Sequence, residues 1–262
     1  MPLLRVLLDD LTITDEASFS HVAIYTRLKR VLHDAKYPFH VAAPGTQLSW
    51  DRATLLNLTF WSSDEGADVL CEDSIPADVV AHVAWHHLAT AQLARLVPEA
   101  KAASADALFF GEAIASAFDL YLVGRLLRNV PDSDFIATQV SIMGEAAEQA
   151  GLSESQLETL LEAVALDPER AFEDLRSLLF DVSCALLGCR SAPQAQLALE
   201  SFSGHRFEAL LHHYQLSNWV LYARAYGAAD AAQERAVLEL DKALRAAPAA
   251  LDWLAEHWLP AS

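Results

Sequence analysis

"DVVAHVAWHHLATAQL" (Asp78–Leu93) is apolar on nearly every side of a helix, yet it carries His82, His86 and His87. Residues four apart share a helix face, so Asp78, His82, His86 and Thr90 form one polar stripe among Val, Ala, Leu and Trp. A helix that is apolar all round is normally a buried one. Buried imidazoles need hydrogen-bond or metal partners, because leaving one unpaired costs about 1–3 kcal/mol. His87 points about 100° away from His86 and reads as a packing residue. The stretch therefore predicts a mainly α fold with this helix in its core, and a common target for His82 and His86.

The next apolar segment poses the same question with carboxylates. "ADALFFGEAIASAFDLYLVGRLL" (Ala105–Leu127) has Glu112 and Asp119 as its charged groups between Asp106 and Arg125. They are seven apart and share a face, with Ser116 between them. Carboxylates are rarely buried unless paired or bound to a cation. No Lys or Arg occurs from Ala53 to Ala94 or from Ala102 to Gly124, so the local chain offers no basic partner. Two histidines on one helix and a glutamate on the next form a donor set for a divalent metal. Zinc suits it best, since a site with three protein ligands keeps a fourth position for water. Asp119 or Asp78 is placed to orient a ligating imidazole.

"HVAWH" followed by "GEAIASAFD" resembles the gluzincin metallopeptidases, which carry H-E-x-x-H on one helix and a third ligand, a Glu in a GExxA-like context, on a later one. The resemblance spans residues 54–119, under half of the chain. It implies a zincin-like arrangement with His82, His86 and Glu112 as zinc ligands and Asp119 as a supporting carboxylate. The chain departs from the pattern at Val83, where that family has its catalytic Glu. Without a base beside the water, peptide hydrolysis by that mechanism is severely weakened. The implied protein is a degenerate metallopeptidase, or a metallohydrolase whose base is displaced to Glu72, Asp73 or Asp78.

Around these two segments the chain is mixed at first and then helical. Helical spacing runs from about Glu16 to Ala35 and is broken by "KYPFHVAAPG" (Lys36–Gly45). "TLLNLTFW" (Thr54–Trp61) reads as a strand, "SSDEGAD" as a turn and "VLCED" (Val69–Asp73) as a second, short strand. Pro76 marks the start of the histidine helix. Downstream, Ser104 caps a helix through Asn129, Ser153 and Gln156 form a capping box, and Asp167–Pro168 opens a helix toward Leu187. "HRFEALLHHYQLSNWVLYARAYG" (His205–Gly227), "DAAQERAVLELDKALRA" (Asp230–Ala246) and "AALDWLAEHW" (Ala249–Trp258) complete the helices, with Trp219, Tyr222 and Tyr226 read as core. The expected fold class is mainly α (α+β) with a small N-terminal β element. Residues 1–131 form the mixed α/β, zincin-like region, and residues 132–262 a helical region packed on it, as a second domain or as part of the same one.

Composition narrows the partners. With 36 acidic against 18 basic residues among 262, the net charge is −18, a field that repels phosphate backbones and anionic lipid. Neither nucleic acid nor a membrane is an expected partner; a peptide or small-molecule substrate, or a basic protein, is. The longest apolar run, Ala107–Gly124, contains two carboxylates and is not expected to span a bilayer. Three scattered cysteines (Cys71, Cys184, Cys189) and an amino terminus without a basic leader suit a cytoplasmic protein. Two other classes remain open: a metal-free acidic helical interaction module, and a di-iron oxygenase-like bundle drawing on Glu208, His212 and His213. Phosphate loops, nucleophile elbows and Cys-His nucleophile arrangements are missing from the sequence.

Overall fold

Helix boundaries along this chain follow its capping residues and prolines. The computed structural model describes residues 3–43, 68–70 and 72–260. Contacts divide the chain into two compact units, Met1–Ala84 with Ser262 and Trp85–Ala261, and the division falls inside one helix. The architecture is mainly α with a small β part, as the sequence leads one to expect.

The first unit holds the strands. β1 (Leu3–Val6) pairs antiparallel with β3 (Phe39–Ala42), which pairs parallel with β4 (Asp68–Leu70). A separate parallel pair joins β2 (Thr12–Thr14) to β5 (Ser74–Pro76). The helical spacing after Glu16 resolves into a 3-10 segment, Glu16–His21, and α1 (Ala23–Asp34), because Val22 leaves the helical region at φ −100°, ψ 89°. α1 buries Tyr25, Leu28, Val31 and Leu32, a stripe at three- and four-residue spacing. Glu16 ties that helix down, 2.6 Å from the Lys29 ammonium and accepting the Tyr25 hydroxyl at 3.1 Å. The strand expected at Thr54–Trp61 and most of the turn after it lie outside the described residues. Of the short strand expected at Val69–Asp73, Val69 and Leu70 belong to β4, Cys71 lies outside the described residues, and exposed Glu72 and Asp73 lead into β5. β5 ends at Pro76, and α2 (Ala77–Leu96) begins on the next residue.

The second unit continues α2 and adds α3 (Ala105–Asn129), α4 (Asp134–Gln149), α5 (Glu154–Leu166), α6 (Pro168–Leu187), α7 (Ala192–Glu200), α8 (His213–Tyr226), α9 (Ala231–Ala246) and α10 (Ala250–His257). Ser104 caps α3 by accepting the Ala107 amide, and Ser153 and Gln156 form the capping box of α5. Asp167 caps α6 with Pro168 in its first turn. α3 is the central helix. Its residues from Phe109 through Gly124 are buried almost throughout, and it lies along α6. By length and composition α3 does reach what a membrane crossing requires, contrary to the reading of its sequence; 78% of its apolar window is buried inside the protein. Glycine at 124 permits its close approach to α5 and α6, because a Cβ there would sit 2.8 Å from the Val164 carbonyl oxygen and 2.9 Å from Pro168 Cβ.

One expectation fails in this unit. His205–Gly227 is not a single helix. Glu208–Leu210 makes a short 3-10 turn, Leu211 is extended, and α8 starts only at His213. Side chains settle the matter: Glu208 accepts the Gly204 amide at 2.7 Å and the Ser203 hydroxyl at 3.1 Å, while His212 Nδ1 accepts the Gln215 amide at 3.3 Å as the cap of α8. Polar groups used to close a turn and start a helix cannot also prolong one.

Candidate metal centre

His82 and His86 come from α2, one turn apart, and Glu112 from α3. Each offers a ligand atom, and the three atoms all lie within 4.8 Å of one another. All three residues are half-buried. The best-defined pair is His86 Nε2 and Glu112 Oε2, 3.6 Å apart, with the Glu112 side chain only 13% exposed. That separation is too long for a hydrogen bond. It is close to the edge, about 3.3–3.4 Å, of a tetrahedron whose ligands lie about 2.0–2.1 Å from a central ion. The ring of His86 rests over Gly111, its Nδ1 3.6 Å from where a Cβ would stand, which leaves Nε2 turned to the carboxylate.

Packing fixes both helices beneath the group. On α2, Val83, Ala84 and Trp85 are buried, and the Trp85 ring meets Phe118 of α3 edge-on with centroids 5.5 Å apart. The basic residue nearest on α3, Arg125, pairs with Glu169 at 3.5 Å. His87 lies off the group and half-buried; burial lowers its pKa, as for a ring held among apolar neighbours.

The remaining residues singled out in the sequence are distributed more widely. Asp78 is half-buried at the start of α2, and its charge acts on the Tyr25 phenol, which burial and Glu16 push far above its ordinary range. Asp119 lies two turns beyond Glu112 on α3, where with Ser116 it lines a cavity formed with α4, α6 and α8. Glu208 and His212 are not in the metal-ligand group and serve the turn and cap described above. The aromatic trio of α8 is only partly core: Trp219 is buried, Tyr222 is half-buried and Tyr226 is exposed.

Tyr222 has the spacing of a core tyrosine but is only half-buried. Burial raises its phenol pKa first, then Tyr226, then the charge of Glu112. Nothing in its spacing separates it from a core tyrosine. A scan against protein-family models and searches of curated proteins and solved structures return no match to this chain.

Proposed function

We propose that this chain is a zincin-like zinc-binding protein, with His82, His86 and Glu112 as ligands and an open fourth position. The observation that carries the reading is the convergence of two imidazoles and one carboxylate, from neighbouring apolar helices, within 4.8 Å. Two neutral imidazoles and a carboxylate are borderline donors that suit zinc better than magnesium or calcium, which favour all-oxygen sites. When bound, such an ion would act as a Lewis acid and lower the pKa of a water at the open position to about 7.

The chain's own residues restrict the chemistry open to such a centre. The position that carries the base in H-E-x-x-H proteins is Val83, 5% exposed and apolar. Its side chain takes no proton, so hydrolysis here relies on the ligand set alone or on a carboxylate from elsewhere. We therefore place the protein among metallohydrolases of weak peptidase competence, acting on a peptide or small molecule whose scissile bond needs less assistance.

Metal analysis of the purified protein tests this. One zinc per chain is expected, lost in His82→Ala and in Glu112→Ala with helical content retained. A parent protein without stoichiometric metal overturns the reading and leaves an acidic helical interaction module. Iron instead of zinc would point to the di-iron class.

A further inference from the structure

Between the end of α2 and the first half of α9 a groove of about 810 Å³ opens at the surface. One wall is the last residue of α2 and the chain just beyond it, Leu96, Val97 and Pro98, with Leu96 54% exposed. The other wall is α9, whose Ala232, Ala236 and Leu240 recur every four residues and so lie along one face. At about 1.5 Å per residue that apolar strip runs about 12 Å, a little over two helical turns. The rim carries three carboxylates, Glu99, Asp230 and Glu239, against one cation, Arg235. Arg95 and Lys101, near in sequence to the first wall, do not line the groove. Asp230 already serves α9, accepting the Ala232 and Gln233 amides at 3.0 Å and offsetting the positive end of that helix. Glu99 and Glu239 are exposed, and neither has a hydrogen bond or ion pair among the described residues.

We propose that this groove docks a basic amphipathic helix of a partner protein. The apolar side chains of that helix seat along Ala232, Ala236 and Leu240 against Leu96, and its lysines or arginines meet Glu99 and Glu239. Small side chains on α9 let a second helix come close, and a helix laid in such a groove reads it through anchors at i, i+3, i+4 and i+7. Rim carboxylates that meet cations fix the register and speed the encounter. The net charge of −18 draws such a partner in, and it opposes a second copy of this chain, which would bring the same charge to the same face. A small ligand fits the groove less well. Small-molecule sites bury about 70–90% of their occupant, whereas Leu96, Pro98, Ala232 and both free glutamates stand exposed around this one. The groove shares no residue with the group of His82, His86 and Glu112, so it stands apart from the zinc reading.

Fluorescence anisotropy of the full chain with a labelled lysine–leucine peptide, its leucines spaced three and four apart, tests the proposal. The titration is run at physiological ionic strength, where distant charges are screened, and in chelator, so that its outcome is independent of zinc. Saturable binding is expected. A peptide of the same composition with its leucines scattered around the helix should bind at least about tenfold more weakly, because it keeps the charge and loses the anchors. Leu96→Ser with Ala232→Gln, both at exposed positions, should keep the parent's circular dichroism and weaken binding of the first peptide by about tenfold or more. Glu99→Lys with Glu239→Lys should weaken it comparably, whereas the equal charge change Glu158→Lys with Glu162→Lys, at exposed positions of α5, should leave the affinity within about twofold. The parent protein alone can refute the proposal: no saturable binding, or equal affinity for the two peptides, overturns it. Groove variants that bind like the parent, or an α5 variant that loses as much as they do, overturn it too. A parent that sediments as a dimer and becomes a monomer in Leu96→Ser with Ala232→Gln would assign the groove to a second copy and reject the basic partner.

Discussion

His86 and Glu112 face each other at 3.6 Å from a surface that is largely sealed on the glutamate side. A carboxylate in that setting tolerates loss of its charge better than the ion it would hold does. Glu112→Gln, nearly the same shape, is therefore expected to keep the parent's circular dichroism and thermal midpoint in the presence of chelator. In the same variant zinc affinity should fall by at least about tenfold, the effect of a disrupted ligand set; equal zinc affinity in equilibrium dialysis would remove Glu112 from the centre. A second residue-scale expectation concerns Cys184. Burial, reinforced by Asp106, Asp181 and Asp241, pushes its thiol up to about 12. The thiolate is the reactive species, so at pH 8 only about one part in ten thousand is available. Iodoacetamide should label Cys184 slowly in the native protein and quickly once urea is added, read by peptide mass spectrometry.

At the scale of elements, α3 is held from several sides at once. Gly124 lets it approach α5 and α6 so closely that an added methyl meets the Val164 carbonyl at 2.8 Å. Gly124→Ala should destabilise by about 1–3 kcal/mol despite the better helix propensity of alanine, because overpacking at a backbone contact outweighs a gain near 1 kcal/mol. A stability increase in urea denaturation would contradict that geometry. α6 meets α9 through Arg176, which is fully buried, pairs with Glu173 at 2.6 Å and Asp241 at 2.9 Å, and lies 5.7 Å from the Phe110 ring centroid. Arg245 extends the network, bridging Asp241 at 2.8 Å and Asp181 at 2.7 Å. Removing one member leaves uncompensated buried charge, so Arg176→Met should cost about 3–5 kcal/mol. The double change Arg176→Met with Asp241→Leu should recover part of that loss, and no recovery would mean the residues are not energetically coupled.

For the whole molecule, metal binding and stability are linked. An ion that binds the folded chain alone adds about 2.7 kcal/mol at a hundredfold excess over its dissociation constant. For a protein of this size, that raises the unfolding midpoint by about 5–10 °C. Zinc should produce this shift at pH 7.5, and the shift should shrink as the pH falls below about 6, since protons compete for the ligating imidazoles. A calorimetric midpoint indifferent to zinc at pH 7.5 would argue against a ligand set formed by folding.

Local signals in the chain were sufficient for most of the helices. Ser104, Ser153 with Gln156, and Asp167 with Pro168 act on amides two or three residues away, so their caps were legible without knowing the fold. The stripe of His82 and His86 was legible for the same reason, because one turn of helix fixes their separation. The break before α8 was not, since Glu208 and His212 match a helical pattern until their side chains are seen closing a turn and capping the next helix. Nor did any local spacing reveal that Ser116 and Asp119 line a cavity with Trp219. What the sequence determined by itself was the helix-forming pattern and which polar groups it forced among apolar neighbours. What tertiary structure alone decided was which of those groups meet, because side chains far apart in sequence are brought together by helix packing, whose distances are set by contacts such as the one at Gly124.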